Sequence, residues 1–234
     1  MEIKYIQIYG IQRAATTFTT RTIAENFENV NVSADGKHML PATYEFLEDS
    51  LRDRLTKDWL KKNKKIEAIL KTKVKDIFEL GKIMHPVIAI KNPYSWFLSV
   101  QRWEKINQKD FNDKTIIQWY NRFNDHYKAW KELLEGARRP FGRGVVSKYE
   151  DLLHNPQVYL RTISNELGLK LKKEINISDR MASAGKKDDV KFFDEERRKF
   201  YLQKGDFGLS KKEIDTITNL VDWNLMKFYG YEKM

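Results

Sequence analysis

Cysteine is absent from the 234 residues, which excludes a disulfide framework, a thiolate zinc site and a cysteine nucleophile, and points to a reducing compartment. Histidine is scarce, so an imidazole base can only be one of four residues, His38, His85, His126 or His154. No window approaches the ~20 consecutive apolar residues that span a bilayer, and the first residues do not form a basic segment followed by an apolar stretch. A soluble, cytoplasmic chain is the expectation. Also missing is the Gly-Lys pair of the nucleotide-binding loop GxxxxGK[ST], where the chain reads Ala15-Thr16, which weakens any ATPase reading.

What is present fits a folded enzyme-sized globule. The composition is 41% hydrophobic and 13% aromatic, and the length suits one α/β domain over residues 1–234 with a sizeable core. A formal charge of +10 predicts attraction to anions, whether nucleotide, sulfated sugar, nucleic acid or lipid surface, without choosing among them.

Gly10 to Phe18, GIQRAATTF, follows an apolar run, Lys4 to Tyr9, and precedes a helical stretch, Thr17 to Phe27. A strand that feeds a tight loop into a helix start aims backbone N–H groups and the positive end of the helix dipole at one point, where phosphate or sulfate can sit. Arg13, Thr16 and Thr17 supply side chains there. The bland alternatives are an ordinary strand-to-helix connection capped by Thr, with Arg13 a surface charge.

Further along, Val30 to Val32 reads as a second strand, followed by a turn at Asp35-Gly36 that carries Lys37 and His38. Thr43 to Ile83 is charged and apolar at helical spacings, the pattern of two helices. Pro86 to Ile90, with the run VIAI, is a buried strand that Asn92-Pro93 ends while opening a helix. Ile116, Tyr120, Phe123, Tyr127, Trp130 and Leu134 share one face of a long helix, a stripe read as core packing. Val145-Val146 is a short strand, Tyr149 begins a helical unit ending at Leu167-Gly168-Leu169, and Gly185 to Asp189 is polar. Ser210 caps a last amphipathic helix running through Ile214, Ile217, Val221, Leu225 and Phe228. The pattern is α/β: three layers around a central, mostly parallel sheet of four to five strands, P-loop-like, with helix-rich insertions.

Three further segments, IKNPYSWFLSVQRW, SKYEDLLHNPQVYL with a later LGL, and a terminal Tyr229-Gly230-Tyr231, follow the GIQRAATTF loop in order. Together they resemble the sulfotransferase family over nearly the whole chain. The resemblance implies transfer of a sulfuryl group from 3′-phosphoadenosine 5′-phosphosulfate (PAPS) to a hydroxyl or amine, leaving the product PAP, with no metal. It assigns the 5′-phosphosulfate to Arg13, Ala14, Ala15, Thr16, Thr17 and Phe18, and the 3′-phosphate to Lys91 and Ser99, eight residues apart. Two positions depart from the family pattern: Ala14-Ala15 replaces Ser-Gly and Lys91 replaces Arg. Ala15 would be strained if it needed positive φ, and Lys91 keeps charge but loses a bidentate fork.

The resemblance also implies a base, assigned to His38 with Lys37 beside it to keep the imidazole neutral, with Glu45 and Glu104 as fallbacks and Arg13 as the charge that stabilises the leaving phosphate. A basic segment before the last helix, Arg197, Arg198, Lys199 or Lys204-Gly205, would help hold the adenine and 3′-phosphate, against a plain reading as a solvated helix. The acceptor would bind among Pro41 to Leu80 and Phe111 to Gly136, whose Trp, Tyr and Lys suit a carbohydrate or small metabolite and equally a phenol, a lipid head group or a protein tyrosine. Two other classes stay open at this point: a nucleotide kinase, which needs a P-loop lysine and an acidic magnesium ligand, and a non-catalytic polyanion or nucleic-acid binder.

Overall fold

A computed structural model describes residues 3–34, 38, 84–135, 143–177, 180–182, 189–191, 195–202, 205 and 207–234. Lys37, Lys204, Glu45, the Thr43 to Ile83 stretch and most of Gly185 to Asp189 lie outside these, as does the side chain of Arg197.

Four short runs rich in Val, Ile and Tyr pair into one parallel sheet: β1 (Lys4–Tyr9), β2 (Val30–Ser33), β3 (Met84–Ile90) and β4 (Val145–Lys148), in the order β2-β1-β3-β4. β1 and β3 lie side by side with Tyr9 opposite Ile88, so the turns that leave their C-terminal ends emerge next to each other. Ligands of open parallel sheets bind at such ends.

Side chains alternate across the strands and build two cores. Ile6, Ile8, Val87 and Val145 pack on one face against α1 (Thr16–Asn26), α4 (Tyr149–His154), α5 (Pro156–Leu167) and α6 (Glu195–Leu202). Ile88 and Ile90 pack on the other face, against α2 (Pro93–Ile106), α3 (Asp113–Glu135), α7 (Lys211–Leu220) and α8 (Trp223–Phe228). This is the expected three-layer α/β/α arrangement, and its four strands are all parallel. The aromatic stripe on α3 is core: Tyr120, Phe123, Tyr127 and Trp130 are all fully buried, and Trp96 of α2 seats against Tyr120 and Phe123.

The structure departs from the sequence reading in three places. The unit begun at Tyr149 is two helices, because Asn155 leaves the helical conformation and its side chain caps Val158 N at the Pro156 start of α5. The terminal amphipathic stretch also breaks in two, with Asp222 capping α8 through Leu225 N. A small antiparallel pair, β5 (Arg180–Ala182) with β6 (Asp189–Lys191), forms where no strand was expected. Among the described residues no helix is long and apolar enough to cross a membrane.

Candidate anion-binding site

The first turn is shaped by close approach. Gly10 follows β1 at a point where an added Cβ would stand 2.4 Å from the Thr16 methyl and 2.8 Å from the Ala89 carbonyl oxygen, so only glycine lets the chain pass between β3 and α1. Ala14 N donates to Ile11 O at 3.1 Å to close the turn, and Trp96 Nε1 of α2 donates to Gln12 O at 2.8 Å. The first helical bond of α1 runs from Thr19 N to Ala15 O, which leaves the N–H groups of Thr16, Thr17 and Phe18 ahead of the helical ladder. No side chain of the capping residue Ala15 covers them, and no acidic residue sits in the first turn.

The loop is held in an unfavourable backbone conformation. Arg13 has φ 71° and Ala15 φ 63°, both in the left-handed region where a Cβ costs about 1 kcal/mol or more. The strain anticipated from Ala in the family's Gly position is therefore present at Ala15. We expect Ala15→Gly to raise unfolding stability by about 0.5–1 kcal/mol, measured by denaturant titration; a loss of stability would show that the turn does not require this conformation.

Within the loop the side chains divide. Arg13 and Thr17 are exposed, Thr16 is buried, and Ala14 and Phe18 belong to the two cores, so Ala14 and Phe18 can offer a ligand only main-chain groups.

The second turn carries a buried cation. Lys91 is 3% exposed, and its main chain is pinned by the Tyr127 hydroxyl, which accepts from Lys91 N at 3.0 Å and donates to Lys91 O at 3.1 Å. Its Nζ donates to Ser99 Oγ at 2.6 Å and stands 4.1 Å from the ring centre of Tyr201 and 5.0 Å from that of Tyr149. Ser99 thus meets Lys91 two helical turns into α2. Asn92 caps the same helix through Tyr94 N, and its own N–H donates to Glu150 at 2.9 Å. Burial pushes the Lys91 ammonium below its ordinary range; Tyr201 and Glu150 oppose this, while the positive charge of Arg13 adds to it. The last effect places Arg13 and Lys91 within electrostatic reach of each other at one end of the sheet.

Glu150 accepts from Asn92 N and from the Tyr231 hydroxyl at 2.8 Å, and burial raises its pKa. Tyr149 is a buried core residue that also forms one face of the Lys91 cage. Tyr201 of α6 was missed, and nothing in the local sequence marks it, since its partner is a residue 110 positions earlier.

The basic segment makes contacts of its own. Arg198 donates to the carbonyls of Leu153 and His154, closing the end of α4, Lys199 is exposed and reaches Glu195 at 3.8 Å, and Gly205 is exposed with open space around it. Arg198 thus meets a helix end and Lys199 stands in a solvated pair.

His38 lies against the first turn. Its Nδ1 is 2.8 Å from Gly10 O; a carbonyl can only accept, so Nδ1 carries the proton and the neutral ring's lone pair is on Nε2. The other histidines are placed differently: His85 Nδ1 contacts Arg143 O at 3.2 Å, His154 ends α4, and His126 is buried on α3. Glu104 is also buried, with Trp119 Nε1 donating to it at 2.8 Å. Among the described residues no group of His, Asp and Glu is arranged to hold a metal.

No protein-family model matches the chain, and no curated protein matches it. Among solved structures, the chain is similar to the sulfotransferase domain from the Synechococcus PCC 7002 olefin synthase, with a TM-score of 0.51 and 14% sequence identity over 99% of this chain and 95% of that one. At this identity the likeness is one of fold.

Proposed function

We propose that the chain is a PAPS-dependent sulfotransferase that acts on a hydroxyl-bearing acceptor. The observation that carries the reading is the buried Lys91 ammonium: among the described residues it is met by a hydroxyl and two phenol rings rather than a carboxylate oxygen. Glu150 acts on it only through its field, its oxygens being taken by Asn92 N and the Tyr231 hydroxyl; a buried cation with no carboxylate in contact is costly, and a ligand anion would supply a direct partner. The fold likeness supports the same reading.

A doubly phosphorylated adenosine fits the donor set. The Thr16, Thr17 and Phe18 N–H groups with the Thr17 hydroxyl would hold the 5′-phosphate, and Lys91 with Ser99 the 3′-phosphate, while Arg13 and Lys91 approach from adjacent strand ends. Bound PAPS supplies an activated sulfuryl group whose bond to the 5′-phosphate breaks as its bond to the acceptor oxygen forms. His38 Nε2 takes the acceptor proton, Arg13 balances the charge gathering on the departing phosphate, and the two turns fix donor and acceptor in line. Lys37, assigned beside the base, lies outside the described residues.

The test is an assay with radiolabelled PAPS and a panel of hydroxyl-bearing sugars and metabolites. Label is expected in an acceptor; PAP binding with no transfer to any acceptor would favour a non-catalytic binder.

The Lys91 shift gives this reading a pH signature. An anion favours the protonated ammonium, so PAP should bind most tightly below the lowered Lys91 pKa and weaken as pH rises through it, by about tenfold per pH unit for one linked proton. In Lys91→Arg the guanidinium stays charged and the dependence should flatten. Equal pH profiles for the two proteins in equilibrium titrations would place the 3′-phosphate elsewhere.

A further inference from the structure

Two side chains of α3 close on the main-chain carbonyl of His38: Arg122 Nη2 donates to it at 3.4 Å, and His126 Nε2 lies 3.1 Å from it, a donor contact when that nitrogen carries the proton. Since the imidazole of His38 is tied to Gly10 O, residue 38 is fixed at both ends, its ring to the exit of β1 and its backbone to α3. We propose that His126 is a positioning residue for His38: by anchoring the carbonyl it sets the direction in which the His38 Nε2 lone pair points. This rests on the reading of His38 as the base.

The geometry around His126 is that of a buried clamp. It is 4% exposed, the edge of Trp130 packs against its ring at 5.4 Å between centroids, and its Nδ1 lies 2.7 Å from Arg122 O one turn earlier on α3. The ring therefore spans two carbonyl oxygens, one in its own helix and one on His38: the imidazolium donates to both and the neutral ring to one, the two carbonyls favouring the charged ring and burial opposing it, with Arg122 and Asp125 as the neighbouring charges on α3. Arg122 is itself braced over the Trp119 ring, 5.7 Å from its centre, so both side chains that face His38 O come from a face of α3 held by aromatic packing. A base displaced by even about 1 Å loses a large part of its rate advantage, which is what such a brace prevents.

The experiment compares His126→Leu, which removes the ring nitrogens, with His126→Gln, whose side-chain amide can donate to the His38 carbonyl. The leucine variant is expected to lose about tenfold or more in kcat with KM for PAPS and PAP binding unchanged, and the glutamine variant to recover most of it. Nitrogen NMR of the His38 ring in the ligand-free protein reads the same effect without turnover: protonated Nδ1 and unprotonated Nε2 in the wild type and the glutamine variant, and a mixed tautomer population in the leucine variant. Unchanged kcat and unchanged His38 ring signals in His126→Leu would overturn the proposal, and if that variant does not fold, loss of kcat and of the single tautomer in His126→Gln would do the same. Absence of transfer in the wild type would instead sink the sulfotransferase reading, and the NMR comparison would still decide whether His126 sets the His38 ring.

Discussion

Alanine at position 38 is expected to lower kcat by about 10² or more while leaving PAP affinity within about threefold. The asymmetry follows from where the ring sits. His38 reaches the first turn through Nδ1 and Gly10 O, a contact with backbone that leaves the N–H groups at the start of α1 in place when the ring is removed. What disappears is the Nε2 lone pair, and with it, on the proposed reading, the acceptor for the proton released as the hydroxyl attacks. Rate measurements at saturating PAPS, together with PAP titration of the same variant, separate these effects. Parallel losses in kcat and PAP affinity would mean that His38 supports the turn and is not the base.

Arg13→Ala should cost about 10²–10³ in kcat, the range found when a group that stabilises developing charge is deleted. Arg13 is exposed and already sits at positive φ, so alanine removes the guanidinium without introducing new strain or opening a cavity, and thermal stability should hardly change. Arg13→Lys keeps the charge and should recover part of the rate. Because Arg13 contributes to the positive field that lowers the Lys91 pKa, its removal should also move the pH midpoint of PAP binding upwards. A variant that transfers at the wild-type rate would remove Arg13 from the chemistry.

Much of this arrangement was legible in the chain because it is local. KYIQIY before a glycine and a run of threonines specifies strand, turn and helix within consecutive residues, and VIAI before Asn92-Pro93 does so again. Lys91 and Ser99, paired in the sequence only through the resemblance, meet across one strand end and the helix that follows. The misreadings have equally local causes. Apolar spacing continues unbroken from Ile217 through Val221 and Leu225, so periodicity hid the break that the Asp222 cap makes between α7 and α8.

The parts that stayed hidden are products of tertiary packing. Tyr149 and Tyr201 become faces of the Lys91 cage only once α4 and α6 pack on the same side of the sheet. His126 reads as one more residue of an aromatic stripe until α3 lies beside residue 38. Arg198 belongs to a run of charges that looks like a ligand site, and only the position of α4 shows that it caps carbonyls. Charge counts and periodicity carry no information about which helix end a given arginine will face.

The most direct measurement is thermal unfolding with PAP or ATP at two salt concentrations. A site that grips both ends of a doubly phosphorylated adenosine stabilises the fold by about 2.7 kcal/mol when PAP is present at 100 times its Kd, with a much smaller shift from ATP at the same concentration and a preference that persists when salt is raised. Equal shifts from PAP and ATP that vanish together at the higher salt would be the behaviour of a general polyanion surface and would contradict the account.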